Sequence, residues 1–189
     1  MSDAQKNLLI DLIQSDHAMI ETLAAVRDLA LPDGWIAAGF VRNRIWDHLH
    51  GYAEPTPLND IDVVYFDTAC LQEAAEKRFE ATLLDRLADR PWSVKNQARM
   101  AGVNHDPPYR DTAHALEHWC ETPTPIGVRL TADDRIEMIA PLGLDDLFKL
   151  IVRPTPFASK HPPKLQQYRE RMARKNWPGI WPGIRVLEL

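Results

Sequence analysis

The stretch Asn59-Asp60-Ile61-Asp62-Val63-Val64-Tyr65-Phe66 (NDIDVVYF) sets two aspartates two residues apart at the mouth of the most strand-like run in the chain. The β-branched and aromatic residues from Ile61 to Phe66 predict a strand. Side chains alternate along a strand, so Asp60 and Asp62 are expected on one face, with Ile61 and Val63 on the other. Burying one carboxylate without a partner is costly, and burying two side by side is worse. A cation, a metal ion or exposure at the strand end must compensate them.

Upstream, Trp35-Ile36-Ala37-Ala38-Gly39 predicts a short apolar strand ending in glycine, and Val41 to Leu49 returns to helical spacing. Gly39 lies 21 positions before Asp60, across a loop holding Gly51, Pro55 and Pro57. A glycine at a helix mouth lets backbone N–H groups approach a phosphate, and the helix dipole favours it. Two carboxylates on one face suit Mg2+, which commonly takes one or two of them plus phosphate oxygens. Phosphate grip beside metal carboxylates describes a nucleoside triphosphate site.

Residues 4–30 read as one or two amphipathic helices, and Leu71 to Ala88 as a helix of good helix formers. Trp92 to Met100 predicts a further strand, and Asp111 to Trp119 a short helix capped by Asp111. Ile126 to Leu130 and Arg135 to Ala140 predict a hairpin, and Leu144 to Val152 a helix. The repeated WPGI at Trp177 and Trp181 reads as turns whose tryptophans anchor the tail. Alternating strands and helices give an α/β (α+β) class, a mixed sheet flanked by helices. One domain is expected: a helical segment over 1–31, a core over 32–152 and a proline- and tryptophan-rich tail over 153–189 packed on the core.

At 189 residues, with 45% hydrophobic and 26% charged residues, the chain can bury a real core. Its formal charge of −5 argues against a general polyanion binder. Cys70 and Cys120 form neither a disulfide framework nor a metal pattern, and no apolar run is long enough to span a bilayer. A cytoplasmic protein with no membrane partner is expected; oligomeric state is left open.

Ala38-Gly39-Phe40-Val41-Arg42-Asn43, then Gly51, then Asp60-Ile61-Asp62, resembles the head of polymerase-β-type nucleotidyltransferases, with the GG-x-V-R-D…G…D-x-D signature of CCA-adding enzymes. Trp92-Ser93-Val94-Lys95-Asn96-Gln97-Ala98-Arg99-Met100, Ile126-Gly127-Val128-Arg129 and Ala140 to Phe148 extend the resemblance to a group of bacterial nucleotidyltransferase-like proteins of unassigned substrate. The resemblance implies that Asp60 and Asp62 hold Mg2+ (or Mn2+) against the phosphates of an NTP. It also implies transfer of a nucleotidyl group to an acceptor, with pyrophosphate released. Gly39 matches the phosphate-loop glycine and Arg42 the arginine of V-R-D; Phe40, Asn43, Lys95 and Asn96 are expected as further nucleotide contacts.

Three departures stand out. Phe40 occupies the place expected for the second small residue of a glycine pair, and Asn43 replaces an aspartate. The strand WSVKNQARM, where a third carboxylate belongs, has no acid, which leaves Asn96 or Glu137 as substitutes. A catalytically degenerate nucleotide-binding or regulatory module is therefore the alternative reading. The acceptor is open: a small metabolite, a protein side chain or a tRNA end, with the acidic balance disfavouring long RNA. A distant third reading is a zinc peptidase, because His114-Ala115-Leu116-Glu117-His118 fits H-x-x-E-H; two histidines on a surface helix is the simpler account.

Overall fold

A computed structural model describes residues 2–188. Two helices open it, α1 (Asp3–Gln14) and α2 (His17–Arg27). Ser2 and Gln5 form a reciprocal capping box on α1, and Asp16 caps α2 by accepting from the Met19 N–H. Next come β1 (Trp35–Ala37), α3 (Gly39–Leu49), β2 (Ile61–Tyr65), α4 (Glu73–Arg86), β3 (Trp92–Asn96), α5 (Gln97–Val103) and α6 (Thr112–Glu117). The remainder is β4 (Gly127–Leu130), β5 (Ile136–Ile139), α7 (Asp145–Phe148), β6 (Ile151–Val152), α8 (Pro156–Lys160), α9 (Pro162–Arg174), α10 (Trp177–Ile180) and β7 (Arg185–Val186).

Five strands form a mixed sheet in the order β3-β2-β1-β4-β5. Only β2 and β3 run parallel, joined through α4; the other three pairings are antiparallel. The mixed α/β class expected from the alternation of elements is the fold observed. One face of the sheet, carrying Ile36, Val63 and Val128, joins the main core with Leu9, Ile13, Leu23, Val41 and Ile45. The opposite face carries Trp35, Ala37 and Val64, and packs Leu116 of α6 and the adjoining Trp119. Asp62 alternates onto this second face, in register with Ala37.

Two predicted elements end early. The strand from Trp92 stops at Asn96, whose side chain accepts from the Ala98 N–H and starts α5 instead. The helix from Leu144 closes within one turn, because Leu150 takes a positive φ of 55°. The β-branched pair Ile151 and Val152 then lies parallel to Arg185 and Val186. Helix α9 was not anticipated. Its Pro162 and Pro163 fill the first turn, where a missing N–H costs nothing, and helix formers follow.

The C-terminal segment is held by tryptophan. Trp177 and Trp181 meet Trp46 of α3 edge-on, at centroid distances of 5.4 and 5.0 Å. All three indoles are buried, and the Trp181 Nε1–H donates to Asp47 Oδ1 at 2.7 Å. That packing brings the end of α9 to the mouth of α3.

Candidate active site

The sheet register sets the carboxylate beside the helix mouth. Ala37 pairs with Asp62, and Ala38 and Gly39 follow at once into α3. Ala38 makes that turn with φ 54° and ψ −119°, a conformation costing a residue with a Cβ on the order of 1–3 kcal/mol. Its neighbours fix it: the Ala38 N–H donates to the Ile126 carbonyl, and the Ala38 carbonyl accepts from the Val41 and Arg42 N–H groups. The residue at this turn whose backbone conformation favours glycine is thus Ala38. Phe40 lies two positions later, inside α3, and its ring is buried in the core. Ala38→Gly is expected to stabilise the protein by about 1 kcal/mol, read in a urea melt.

The first N–H groups of α3, from Gly39 and Phe40, have no side-chain cap and no backbone partner among the described residues. A Cβ added at Gly39 would meet Leu58 Cδ2 at 3.5 Å, Arg42 Nη2 at 3.6 Å and Asn43 Oδ1 at 3.9 Å, all ordinary contacts. Packing does not demand this glycine. Its missing side chain instead leaves space in a cavity of about 240 Å³ lined by Arg42, Asn43, Asp60, Arg174 and Lys175. Gly39→Ala is accordingly expected to shift stability by less than about 1 kcal/mol. It should nevertheless weaken Mg2+–NTP binding about tenfold, as a thermal melt beside a calorimetric titration would show.

Arg42 is the most telling side chain of this cavity. It is 7% exposed, its Cζ sits 4.4 Å from the Trp177 ring centroid, and Nη2 donates to Asn43 Oδ1 at 2.9 Å. Its buried Nε–H has no partner among the described residues. Burial pulls its pKa down to about 10, opposed most by the charge of Glu121. A buried guanidinium with an unmet donor, lining a cavity with Arg174 and Lys175, calls for an anion.

Asp60 is exposed and lines that same cavity. Asp62 is partly buried, and burial followed by the charge of Asp60 pushes its pKa up to about 6, against Arg42, Arg171 and Lys175. It opens onto a second cavity of about 210 Å³, lined also by His118, Glu121, Lys164 and Arg171. The two aspartates thus stand between two polar cavities.

The other sequence candidates are not brought here. Asn96 spends its side chain elsewhere: Oδ1 accepts from the Asp67 and Ala98 N–H groups, and Nδ2 donates to the Asp67 and Cys70 carbonyls. Lys95 faces Glu76 and Glu80 of α4 at 3.7 and 3.9 Å. Glu137 lies on β5, three strand spacings or roughly 14 Å from β2, and pairs with Arg129. Among the described residues, no three His, Cys, Asp or Glu side chains converge as a metal centre. His114 and His118 are no exception: His114 Nδ1 accepts from the Arg110 N–H, and His118 Nδ1 lies 2.8 Å from the His114 carbonyl.

Reading the sequence missed Glu121, Arg171, Arg174 and Lys175. Three of these belong to α9 and the residue after it, whose proline start and run of helix formers were the available signal. Glu121 lies outside the helices and strands, gave no signal, and accepts Arg171 through both oxygens at 3.1 and 2.6 Å.

The family model described as Nucleotidyltransferase matches residues 24–186. An NMR structure described as revealing a CCA-adding enzyme head domain is 30% identical, with a TM-score of 0.85, over 96% of this chain and 95% of that one. A CCA-adding enzyme in complex with CTP shares 14% identity and a TM-score of 0.57, over 97% of this chain and 43% of its own. A tRNA-processing enzyme in an apo form shares 15% identity and a TM-score of 0.51, over 100% of this chain and 45% of its own. No curated protein sequence matches. No described helix is long and apolar enough to cross a membrane.

Proposed function

The chain belongs to this nucleotidyltransferase family, of the polymerase-β type and with a head like that of CCA-adding enzymes, and from that premise we propose that it moves a nucleotidyl group from an NTP to a hydroxyl acceptor. The observation that carries the reading is the cavity at the mouth of α3. There an uncapped pair of N–H groups, a glycine that packing does not require, and the unmet Arg42 donor meet beside Asp60.

Asp60 and Asp62 would hold a divalent cation. Their charges suit it, since each raises the cost of the other and a shared cation removes that cost. Such a cation supplies charge neutralisation at the phosphates and lowers the pKa of a bound hydroxyl. The remaining work falls to the chain. The Gly39 and Phe40 N–H groups and Arg42 would take the phosphate oxygens, and Arg174 and Lys175 would offset the charge growing on departing pyrophosphate. Asn43 would keep Arg42 aimed through its Oδ1.

Charge distribution favours an anionic substrate more than the total suggests. Residues 153–189 carry eight Lys and Arg against two Glu, a charge of +6, which leaves −11 on residues 1–152. The positive charge is thus concentrated in the segment that supplies Arg174 and Lys175.

A second reading keeps binding without turnover. The two-carboxylate centre and the Asn43 substitution favour it. One experiment separates the two. Purified protein is incubated with each α-labelled NTP and Mg2+, CTP first, beside Asp60→Asn/Asp62→Asn, and pyrophosphate release and label transfer in a cell extract are followed. Magnesium-dependent transfer lost in the variant supports the enzyme. Magnesium-dependent binding without release supports the module, and neither one refutes both.

A further inference from the structure

We propose that the cavity on the Asp62 side receives the acceptor, and that His118 Nε2 takes the proton from the acceptor hydroxyl. The proposal rests on the nucleotidyl-transfer reading and assigns the base that the two-carboxylate centre lacks.

The cavity is walled by three elements. Asp62 comes from β2, His118 closes α6 with Cys120 and Glu121 just beyond it, and Lys164 and Arg171 come from α9. Most of its charged groups are already paired. Arg171 is held by Glu121 at 2.6 Å, and Lys164 meets Asp106 at 3.0 Å. Burial pushes the Cys120 thiol up to about 11, so it offers no thiolate near neutrality. With Asp62 given to a cation, His118 is the one unspent base of the cavity among the described residues.

Its tautomer is set by geometry. Nδ1 lies 2.8 Å from the His114 carbonyl, which can only accept, so Nδ1 carries the proton and Nε2 carries the lone pair. The ring is fixed as well, with Phe157 of α8 at 4.0 Å, Tyr109 at 5.0 Å and His114 at 4.7 Å between centroids. His118 is only 8% exposed. A buried imidazole held by a backbone carbonyl, its free nitrogen available to a polar cavity beside a phosphate site, is the arrangement a general base requires.

The step balances without a further reagent. The acceptor oxygen forms its bond to the α-phosphorus, and the bond from that phosphorus to the pyrophosphate oxygen breaks with its electrons. The hydroxyl proton passes to His118 Nε2 and then to solvent. Because its charges are paired, the cavity suits an uncharged hydroxylated group, such as the diol of ribose or of a sugar ring. Free sugar and the ribose end of a nucleic acid share that chemistry.

The test uses His118→Asn, which keeps a donor for the His114 carbonyl but has no basic nitrogen, with His118→Gln as a second variant. Pyrophosphate release from the preferred NTP with Mg2+ is followed from pH 5 to 9, with water, free ribose or a short oligoribonucleotide as acceptor. The groups facing His118 that could also titrate are His114 and Tyr109 against its ring, and Asp62 and Glu121 across the cavity. Expected is a kcat lower by about 100-fold with the rise in rate across that pH span lost, while Mg2+–NTP affinity stays within about twofold. The acceptor that gives the larger wild-type rate identifies the source of the diol. A rise that persists in His118→Asn belongs to one of those other groups and overturns the proposal, as does an unchanged kcat in either variant. A wild-type protein that binds NTP without any release overturns the transfer reading itself, and this inference with it.

Discussion

Asp62→Asn is expected to melt at a higher temperature than the natural protein at pH 7.5 while losing at least 1,000-fold in pyrophosphate release. Both halves follow from one cause. The Asp62 carboxyl is partly buried beside Asp60, which lifts its pKa to about 6 from an ordinary value near 4. A carboxyl whose folded pKa is raised works against the fold once it ionises. Below about pH 4 it is protonated in both states and costs nothing. Between about 4 and 6 the unfolded chain gives up the proton first, and above about 6 the full penalty applies. The rise from near 4 to about 6 sets an upper figure of about 3 kcal/mol, and the partial exposure of the group reduces it to about 1–2. For a chain of this length that is about 3–6 °C in Tm. The gain should shrink towards zero as the pH of the melt falls from 6 to 4. Adding Mg2+ and an NTP should raise the Tm of the natural protein and leave that of the variant unmoved. A variant that gains nothing at pH 7.5 would show that Asp62 is already compensated within the fold, and the cation would lose its physical motive.

The loss of activity expected in the same variant rests on charge. Asparagine keeps one oxygen but cannot share a divalent cation with Asp60 at comparable strength. Electrostatic stabilisation is usually the largest single contribution to catalysis. Stability and function therefore pull Asp62 in opposite directions, as they do at sites where a buried charge waits for its ligand.

How much of this was legible beforehand differs between residues for physical reasons. The strand at Ile61 and the helix after Gly39 follow from local periodicity, and the face that Asp62 takes follows from alternation along that strand, while Asp60 stands just before it. Asn96 and Glu137 were misjudged as substitutes for a third carboxylate because sequence gives order along the chain and not strand order. Only the sheet order sets Glu137 three strands away, and only the loop at residues 67–70 explains what Asn96 binds. Ala38 was passed over because a positive φ on an alanine has no compositional signal. Arg171, Arg174 and Lys175 were hidden for a third reason: a basic helix near the C-terminus reads as a solvated face until the tryptophans dock it. The acidic total obscured them further, since a sum of charges says nothing of where the positive ones gather.

That docking depends on Asp47, and Asp47→Ala is the substitution expected to cost the fold most. The residue is 2% exposed, on α3 one position after Trp46. Its carboxylate accepts three hydrogen bonds: Thr56 N–H at 2.8 Å, Thr56 Oγ1–H at 2.6 Å and Trp181 Nε1–H at 2.7 Å. The first two tie the loop that leads to Asn59 and Asp60, and the third ties the tail that brings Lys175 and Trp177 over Arg42. Removing the carboxylate leaves the Trp181 N–H without a partner in the interior and opens a void beneath it. Hydrogen bonds to a charged group contribute about 1.5–3 kcal/mol each, and an orphaned buried donor costs about 1–3. Because the loop can relax toward water, the total expected is about 4 kcal/mol, or roughly 10 °C in Tm. Asp47→Asn should lose less, about 1–2 kcal/mol, because its oxygen still serves two donors and only the Thr56 N–H meets a second N–H. The readout that matters lies beyond stability. Well below its melting temperature, Asp47→Ala should bind Mg2+–NTP at least tenfold more weakly, since both walls of the phosphate cavity depend on this carboxylate. A destabilised variant with unchanged affinity would separate the tail from the site and remove Arg174 and Lys175 from the nucleotide.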